Sequence, residues 1–292
     1  MNRARVRLLL IIFGNPGGDG KTTIAQAIDA LAKQFGLSVQ LVCADAGNGA
    51  LRQSIPGTPS VTWGAPPQIG QEIVAAYEKF DVLVIDCGAN SSSAAYNIID
   101  LLIEARITAQ KQGRECMAIL PIGTNKPGAA GMAITSKEAF DRAGFQTHLV
   151  RNNRDGSSEY VGLHEPNLPE VPHLASGFMA LLNQRTGGWH KTLSDPMAGY
   201  AYAMNFIADW LQKVSDLPPI RKALGIEAGG IDFGRDPPLQ LRRVVSRLAA
   251  TSDAALLANQ EYKHALADLC TCDITSPTLA QKVLRFREAF RK

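Results

Sequence analysis

The sequence predicts an α/β protein of three layers, with a mainly parallel sheet between helices, followed by a C-terminal helical extension. Three observations in the 292-residue chain support this prediction. Continuous apolar runs alternate with helical patterns, a glycine-rich turn joins the first run to the first helix, and two further runs each end in an aspartate. Runs that are apolar at every position are typical of parallel strands covered by helices on both faces.

The first apolar run and the turn after it form the most informative stretch of the chain. Leu8–Phe13 leads directly into a glycine-rich turn, which opens a helical pattern. Such a turn lets backbone N–H groups face a polyphosphate, and the helix N-terminus adds the positive end of its dipole. The stretch therefore predicts the three-layer P-loop NTPase fold rather than a plain strand-to-helix connection. The residues expected to bind the nucleotide are Gly17, Gly18, Asp19, Gly20, Lys21, Thr22 and Thr23.

Two side chains of this turn carry the chemistry. Lys21 supplies a mobile cation for the β- and γ-phosphates, and the hydroxyl of Thr22 is placed to bind a magnesium ion. The residue five positions before Gly20 is Asn15, where the usual pattern has glycine. The turn therefore predicts a site for a magnesium nucleotide, with one departure from the usual spacing.

The following elements continue the alternation of strands and helices. Helical spacing of apolar residues extends to Gly36, and a loop rich in glycine and proline is expected from Gly47 to Pro67. Further strands are predicted at residues 37–44, 80–86, 116–121 and 146–151, with a short segment at 171–172. Helices are predicted near residues 69–79, 94–110, 129–143, 177–184 and 196–214.

Two aspartates follow the second and third predicted strands. In an open parallel sheet, ligands bind outside the carboxyl ends of the strands. Asp86, after four apolar residues, is expected to hold the magnesium ion together with Thr22. Asp45 is expected to orient or deprotonate an attacking water. The alternative for each carboxylate is a strand-end residue exposed to solvent.

These motifs resemble those of the ParA/MinD family of P-loop partition and positioning ATPases. Gly17–Thr23 is similar to the family's Gly-Gly-x-Gly-Lys-Thr-Thr, and Cys43–Asn48 occupies the place of its switch I. Asp86-Cys87-Gly88 resembles the family's Walker B motif and the start of switch II. The resemblance covers about residues 5–213 and implies ATP and Mg²⁺ as cofactors, with Lys21 and Asp45 as catalytic residues.

The resemblance also implies an adenine site and a set of partners. Asn152, in the stretch Val150–Asn153, resembles the strand-end asparagine that reads adenine, and Pro172 lies where the family has a nucleotide-proximal loop. The implied partners are a second copy of the chain in a nucleotide-dependent homodimer, an adaptor protein, and non-specific DNA.

Two positions depart from the family pattern. The family's signature lysine reaches across a dimer to the partner's phosphates from the position before the paired glycines, where this chain has Pro16. Proline supplies neither a charge nor an N–H group. The first acidic position of switch I is replaced by Cys43. Either another cation, such as Arg52 or Arg154, takes over, or hydrolysis is slow and the protein acts mainly by binding nucleotide.

The C-terminal part of the chain differs from the rest. We expect a nucleotide-binding domain at 1–215, a linker at 216–238 that includes Pro218-Pro219, and a basic helical extension at 239–292. This extension carries nine basic and five acidic side chains, so it accounts for the +3 net charge of the chain.

Several roles for the extension remain open. It packs on the ATPase domain, binds DNA with a salt-dependent affinity, lies on an anionic membrane, or binds a protein partner. DNA is favoured over membrane, because the last predicted helix presents only two phenylalanines.

The cysteines and the N-terminus predict a location. Five cysteines without a framework spacing indicate reduced thiols in the cytoplasm, and Cys270-Thr-Cys272 is a poor metal signature. Three arginines precede the first apolar run, as in a signal peptide. The run is short and continues into the glycine-rich turn, so we interpret it as the first strand.

The sequence therefore predicts an ATP-binding, weakly hydrolysing partition or positioning protein. It would act in plasmid or DNA segregation, conjugation or cargo positioning through nucleotide-dependent dimerisation. One alternative is a non-hydrolysing scaffold of a conjugation or pilus apparatus, which Pro16 favours. Another is a metabolic P-loop enzyme similar to dethiobiotin synthetase. Such an enzyme needs further cations near the loop for a substrate carboxylate, and residues 48–67 contain only Arg52.

Overall fold

A computed structural model describes most of the first 225 residues of the chain. The described residues are 6–14, 17–45, 47–61, 66–89, 98–165, 167–183, 186–194, 201–225, 260 and 264. Asn15, Pro16, the pair Cys270 and Cys272, and the predicted helical extension apart from residues 260 and 264 lie outside them. The roles expected for these parts therefore stay predictions.

The described residues form one sheet of six parallel strands. The strands are β1 (Leu8–Ile12), β2 (Val39–Ala44), β3 (Val82–Cys87), β4 (Glu115–Gly123), β5 (Gln146–Asn152) and β6 (Glu170–Val171). Their order across the sheet is β2-β3-β1-β4-β5-β6, with every neighbouring pair parallel. The predicted α/β class, the parallel sheet and the strand positions are confirmed.

Nine helices surround or follow these strands in the described part of the chain. They are α1 (Lys21–Gln34), α2 (Ala50–Ser54), α3 (Gln68–Ala76), α4 (Ile98–Lys111), α5 (Ala129–Arg142), α6 (Ser176–Asn183), α7 (Trp189–Ser194), α8 (Ala201–Ser215) and α9 (Pro218–Ala223). None of the described helices is long and apolar enough to cross a membrane.

Three of these helices were not predicted from the sequence. Helix α2 lies inside the stretch expected to be a loop from Gly47 to Pro67, α7 follows α6, and α9 begins where a connector was expected. Each has only five or six residues, too few for helical periodicity to be recognised. Pro218 begins α9 because its fixed φ suits the first helical turn.

Helices cover both faces of the sheet. One face forms a buried core with helices α3, α4 and α5, to which β1 contributes Leu9 and Ile11. Alternate residues of a strand point to opposite faces, so Leu8, Leu10 and Ile12 face the other side. Helix α1, with an almost fully buried apolar stripe, packs against β1, β2 and β3. The central strand β1 is therefore buried on both faces, and it holds the glycine-rich turn in place.

A buried arginine holds together the end of the sheet at which strands β1 and β3 begin. Arg114, which precedes β4, is 3% exposed. Its guanidinium donates hydrogen bonds to five backbone carbonyls, those of Leu8, Tyr77, Glu78, Phe80 and Asp81, at 2.8 to 3.4 Å. The arginine thereby joins β1 to the turn that leads into β3.

The chain divides into two compact units. The first consists of Met1–Lys191 and Lys213–Ile226 and contains the whole sheet. The second consists of Thr192–Gln212 and Glu227–Lys292. The site described below lies within the first unit.

Candidate phosphate-binding site

The carboxyl ends of the strands meet at one edge of the sheet because all six strands are parallel. Strand β1 lies between β3 and β4, and Ile12 is paired with Asp86 of β3. On the far side of β4, Gly123 is paired with Asn152 of β5. The segments that follow β1, β2, β3, β4 and β5 therefore surround the glycine-rich turn. This is the edge at which ligands bind in open parallel sheets.

The glycine-rich turn needs its glycines for backbone conformation and for space. Gly18 and Gly20 have φ angles of 74° and 85°, in the left-handed region that favours glycine. Gly20 is the N-cap of α1, and no side chain caps the helix there. A Cβ on Gly20 would also collide with the amide of Asn152. The helix N-terminus is therefore left to backbone N–H groups, as an anion site requires.

Thr22 and Asp86, the two predicted magnesium ligands, lie in direct contact. The Thr22 hydroxyl donates a hydrogen bond of 2.7 Å to Oδ2 of Asp86. The other carboxylate oxygen, Oδ1, is buried and has no hydrogen-bond partner among the described residues. Burial raises the pKa of Asp86 to about 7, although the Thr22 hydrogen bond and the Lys21 charge act to lower it.

These two residues fit a magnesium ion. A hydroxyl, a carboxylate and phosphate oxygens are the ligands that Mg²⁺ uses in nucleotide sites, usually with several waters. The buried Oδ1 of Asp86 accepts no hydrogen bond from the residues that the structure describes, so it suits a metal ion or a water bound to that ion. No group of three or more His, Cys, Asp or Glu side chains suited to a metal occurs in the described part of the chain. By their chemistry, Thr22 and Asp86 would hold the ion together with phosphate oxygens of the nucleotide.

Lys21 is the central cation of the site. Its side chain is 7% exposed at the first position of α1. Burial lowers its pKa, and the nearby carboxylates of Asp19 and Asp86 oppose that shift. The ammonium is thus buried at the start of the helix, and its contact with phosphate oxygens stays a prediction.

Asp19 is a buried anion within the turn, and Lys126 neutralises it. Asp19 is 1% exposed, and its Oδ1 lies 3.0 Å from Nζ of Lys126. The same ammonium donates to the carbonyl of Gly17. Burial raises the pKa of Asp19, and Lys126 is the strongest of the cations that oppose the shift. Lys126 therefore fixes both the backbone and the charge of the turn.

Lys126 was missed in the sequence. Its signal is weak: it lies between Gly123 and Gly128, a few residues after a predicted strand, in a loop that the parallel sheet places on the side of the site. A lysine in a polar loop is usually a solvated surface residue, so its position alone gives no reason to select it.

Asn152, at the end of β5, is hydrogen-bonded to the backbone of the glycine-rich turn. Its side chain is 4% exposed, and Nδ2 donates a hydrogen bond of 2.7 Å to the carbonyl of Asp19. The amide therefore holds the backbone that precedes α1. Pro172 is half-buried directly after β6. Contact of Asn152 or Pro172 with adenine stays a prediction.

Asp45 joins the segments after β2 and β3. Its Oδ1 accepts hydrogen bonds from the backbone N–H groups of Gly47 and Asn48, at 3.0 and 3.3 Å. A Cβ on Gly88 would collide with the Asp45 carboxylate, so only glycine fits there. Asp45 thus contacts both predicted switch segments, and its action on water stays a prediction.

Cys43 does not supply the negative charge that the family's switch I has at this position. Its thiol is free and buried at the end of β2, where burial raises its pKa. The Cys87 thiol, at the end of β3, is also free and buried, with its pKa raised by the same cause. Both side chains therefore remain neutral at physiological pH and act as small apolar groups.

Of the two cations suggested as replacements for the missing lysine, one lies beside the turn. An ideal Cβ built on Gly18 would lie 3.3 Å from Nη1 of Arg154 and 3.3 Å from Nζ of Lys126. Arg52 is exposed on α2, and no hydrogen bond or ion pair joins it to the described residues of the turn. Arg154 and Lys126 thus flank Gly18, two residues from the position of Pro16.

Comparison with solved structures finds likenesses of fold alone. No family model and no curated protein matches the sequence. The MinC:MinD cell division complex of Aquifex aeolicus is 14% identical over 71% of this chain and 96% of that chain, with a TM-score of 0.47. McdA of Cyanothece, solved with ATP, is 18% identical over 77% and 99%, with a TM-score of 0.46.

A third structure is the signal recognition particle receptor FtsY of Elizabethkingia anophelis. It is 20% identical over 51% of this chain, with a TM-score of 0.36. The chain spans about half of the FtsY structure, 51% of its length.

Proposed function

We propose that this protein binds ATP with Mg²⁺ and works as a nucleotide-dependent partition or positioning protein of the ParA/MinD type. The observation that carries the proposal is the hydrogen bond of 2.7 Å between Thr22 and Asp86, made beside the buried ammonium of Lys21. A hydroxyl, a carboxylate and a lysine that converge at a glycine-capped helix N-terminus suit a magnesium polyphosphate. The choice of ATP rests on the resemblance of the motifs.

Each group has a separate part in binding. The N–H groups of the turn and of the first turn of α1 bind phosphate oxygens, and Lys21 adds positive charge. When bound, Mg²⁺ neutralises charge that develops on the phosphates. Thr22 and Asp86 orient that ion, while Asn152 and Lys126 keep the backbone of the turn in place.

Hydrolysis is expected to be slow, because Pro16 stands where the family has its signature lysine and supplies no charge. In addition, Oδ1 of Asp45 already accepts from Gly47 and Asn48, which leaves Oδ2 as the oxygen that could orient a water. This arrangement also favours the second candidate, a scaffold in which nucleotide is bound without being hydrolysed. Turnover requires Asp45 to leave these two amides or to act through its other oxygen.

The proposal includes a cytoplasmic location, a nucleotide-dependent homodimer, an adaptor and non-specific DNA. DNA binding is assigned to the basic extension at 239–292, whose nine cations outnumber its five anions. Non-specific DNA binding depends on phosphate contacts and falls steeply with salt. Plasmid or DNA segregation, conjugation and cargo positioning are the settings in which these properties are used together.

Calorimetric titration of the full chain with ATPγS in the presence and absence of Mg²⁺ tests the core of the proposal. Magnesium-dependent binding is expected in the wild type and its loss in Lys21→Ala. Lys111→Ala removes an exposed lysine of α4 and is the matched control. Failure of the wild type to bind any nucleotide would overturn the proposal.

ATP turnover and DNA binding separate the candidates. Slow turnover, together with DNA binding that requires ATP and weakens with salt, supports a partition protein. Nucleotide binding without turnover supports the scaffold. Fast turnover that responds to a small metabolite and not to DNA contradicts both and indicates a metabolic enzyme.

A further inference from the structure

We propose that Arg154 binds the terminal phosphate group of the nucleotide within its own chain and so makes the site selective for a triphosphate over a diphosphate. This inference rests on the proposed function, since it assumes that the glycine-rich turn binds nucleotide. Position 16 is a proline and has no charge with which to contact the phosphate. The inference assigns that contact to an arginine in the loop after β5 instead.

The first observation is the position of the guanidinium. Nη1 of Arg154 would lie 3.3 Å from a Cβ built on Gly18, so the cation is at the outer part of the turn. Lys21 occupies the inner part, at the start of α1. The two cations thus come from different parts of the chain. Lys21 begins the helix after β1, and Arg154 lies in the loop after β5.

The second observation is that the backbone of Arg154 is fixed on both sides. Its N–H donates a hydrogen bond of 3.3 Å to Oγ1 of Thr124, and its carbonyl lies 2.9 Å from Nδ1 of His173. These contacts tie the residue to the loop after β4 and to the chain after β6. A side chain on an anchored backbone needs less ordering when a ligand binds.

The loops after β4 and β5 are also joined to each other. The N–H of Asn125 donates to the carbonyl of Glu159 at 2.9 Å, and its Nδ2 donates to Asp155 and Ser157 at 2.5 and 3.0 Å. Hydrogen bonds from the backbone N–H and the hydroxyl of Ser157, and then the one from Asn125, lower the pKa of Asp155 well below its usual range, so it remains an acceptor. The loop that contains Arg154 is therefore held to the loop after β4 by several hydrogen bonds.

The third observation is that neighbouring cations form ion pairs, whereas the Arg154 guanidinium forms none with the described residues. Lys126 pairs with Asp19, and Arg151, on β5, lies 3.6 Å from Glu170. The side chain of Arg154 makes no hydrogen bond or ion pair with any of the residues that the structure describes. It is exposed and keeps all five N–H donors, in the planar arrangement that suits phosphate.

The charge around the turn favours a ligand with more phosphate. Among the cations that lower the pKa of Asp19, Lys126 and Lys21 both act more strongly than Arg154, so Arg154 is the least engaged of the three cations around the turn. A triphosphate carries more negative charge than a diphosphate and extends further along the site. We therefore expect Arg154 to bind the third phosphate, which a diphosphate lacks.

The test compares two ligands in three forms of the full chain. Calorimetry measures the Kd values of Mg-ATPγS and Mg-ADP for the wild type, Arg154→Ala and Arg154→Lys. We expect the alanine variant to lose about tenfold in affinity for ATPγS, as for a charged hydrogen bond, and less than about twofold for ADP. The lysine variant should fall between, because it keeps the charge without the planar donors.

Two controls separate binding from folding and from action across a dimer. Arg151→Ala changes an arginine already paired with Glu170 and should leave both Kd values unchanged. Melting temperatures without nucleotide should agree between the wild type and the Arg154 variants. An equimolar mixture of Arg154→Ala and Lys21→Ala should not recover ATPγS affinity if Arg154 acts within its own chain.

The outcomes distinguish this inference from the proposed function. If the wild type binds both nucleotides and Arg154→Ala weakens neither, or weakens both equally, the role of Arg154 is wrong and the nucleotide site stands. If the mixture recovers affinity, the cis assignment is wrong. If the wild type binds no nucleotide, both the site and the inference fail.

Discussion

The hydroxyl of Thr22 donates a hydrogen bond of 2.7 Å to Oδ2 of Asp86, which joins the start of α1 to the end of β3 at the centre of the candidate site. We expect Asp86→Asn to lower affinity for Mg-ATPγS by at least about tenfold, since loss of groups that support a metal costs this much. Binding measured in EDTA should change little. Calorimetry with and without Mg²⁺ gives both values.

Two variants of Thr22 provide the control for this prediction. Thr22→Ser keeps the hydroxyl and should retain magnesium dependence, whereas Thr22→Val keeps the shape and should lose it. Equal affinities of the serine and valine variants in Mg²⁺ would contradict the assignment of Thr22 as a ligand.

The second prediction concerns the stability of the nucleotide-free protein at different pH values. The pKa of Asp86 is about 7 in the fold, against an ordinary value of 3.8. Between these values the unfolded chain has already released the proton that the folded chain retains. The free energy of unfolding should therefore fall as pH rises from about 4 to about 7 and level off above, by at most about 4 kcal/mol from this residue.

Urea unfolding at pH 5, 6, 7 and 8 in EDTA measures this dependence. Asp86→Asn should flatten the curve, because the amide does not titrate. Part of the slope should remain, since burial also raises the pKa values of Asp19 and Asp29. An identical slope in the wild type and in Asp86→Asn would show that Asp86 does not titrate in this range.

The groups that could be predicted from sequence are those whose position follows from one strand and one turn. Lys21 and Thr22 follow β1 directly, and Asp86 lies at the end of the neighbouring parallel strand. A buried strand, a turn and a helix place such residues without knowledge of the remaining chain. The parallel sheet and the proximity of Thr22 to Asp86 could accordingly be predicted from the sequence.

The contacts that could not be predicted depend on pairing between distant loops, even where the residue itself, Asn152, was expected at the site. The contact of Asn152 with the Asp19 carbonyl joins residues 133 positions apart. The Lys126 contact with Gly17 spans 109 positions. Neither contact leaves a local pattern, because it depends on which strands are neighbours and in which register. Arg114 was missed for a similar reason, since an arginine before a strand is usually exposed.

The third prediction concerns Arg114 and the edge of the sheet away from the site. Arg114→Ala removes the donors of five backbone carbonyls in a buried position. Unsatisfied buried groups of this kind cost energy, and we expect a loss of about 3 to 5 kcal/mol in the free energy of unfolding. Chemical denaturation measures the loss.

A second arginine gives the comparison. Arg142→Ala, on the exposed end of α5, should change the free energy of unfolding by less than about 0.5 kcal/mol. Arg114→Lys should be destabilised nearly as much as Arg114→Ala, because one ammonium has too few donors for five carbonyls. Full stability of the lysine variant would mean that charge, and not the pattern of donors, is what the position requires.

The last prediction concerns the pair formed by Lys126 and Asp19. Lys126→Ala leaves the buried carboxylate of Asp19 without its cation, 3.0 Å from where the ammonium was, and next to the phosphates. We expect affinity for ATPγS and ADP to fall alike, by about tenfold, since both ligands bring phosphate to the same turn. This common loss differs from the loss confined to the triphosphate that is expected for Arg154→Ala.

A double-mutant cycle distinguishes neutralisation from simple packing. Asp19→Asn should bind nucleotide nearly as well as the wild type, and adding it to Lys126→Ala should recover most of the lost affinity, because the unpaired anion is removed. Lys137→Ala, which breaks an exposed pair with Asp141, should have no effect on either Kd. If the two changes add independently, Lys126 supports the turn through the Gly17 carbonyl alone, and the charge of Asp19 has no part in it.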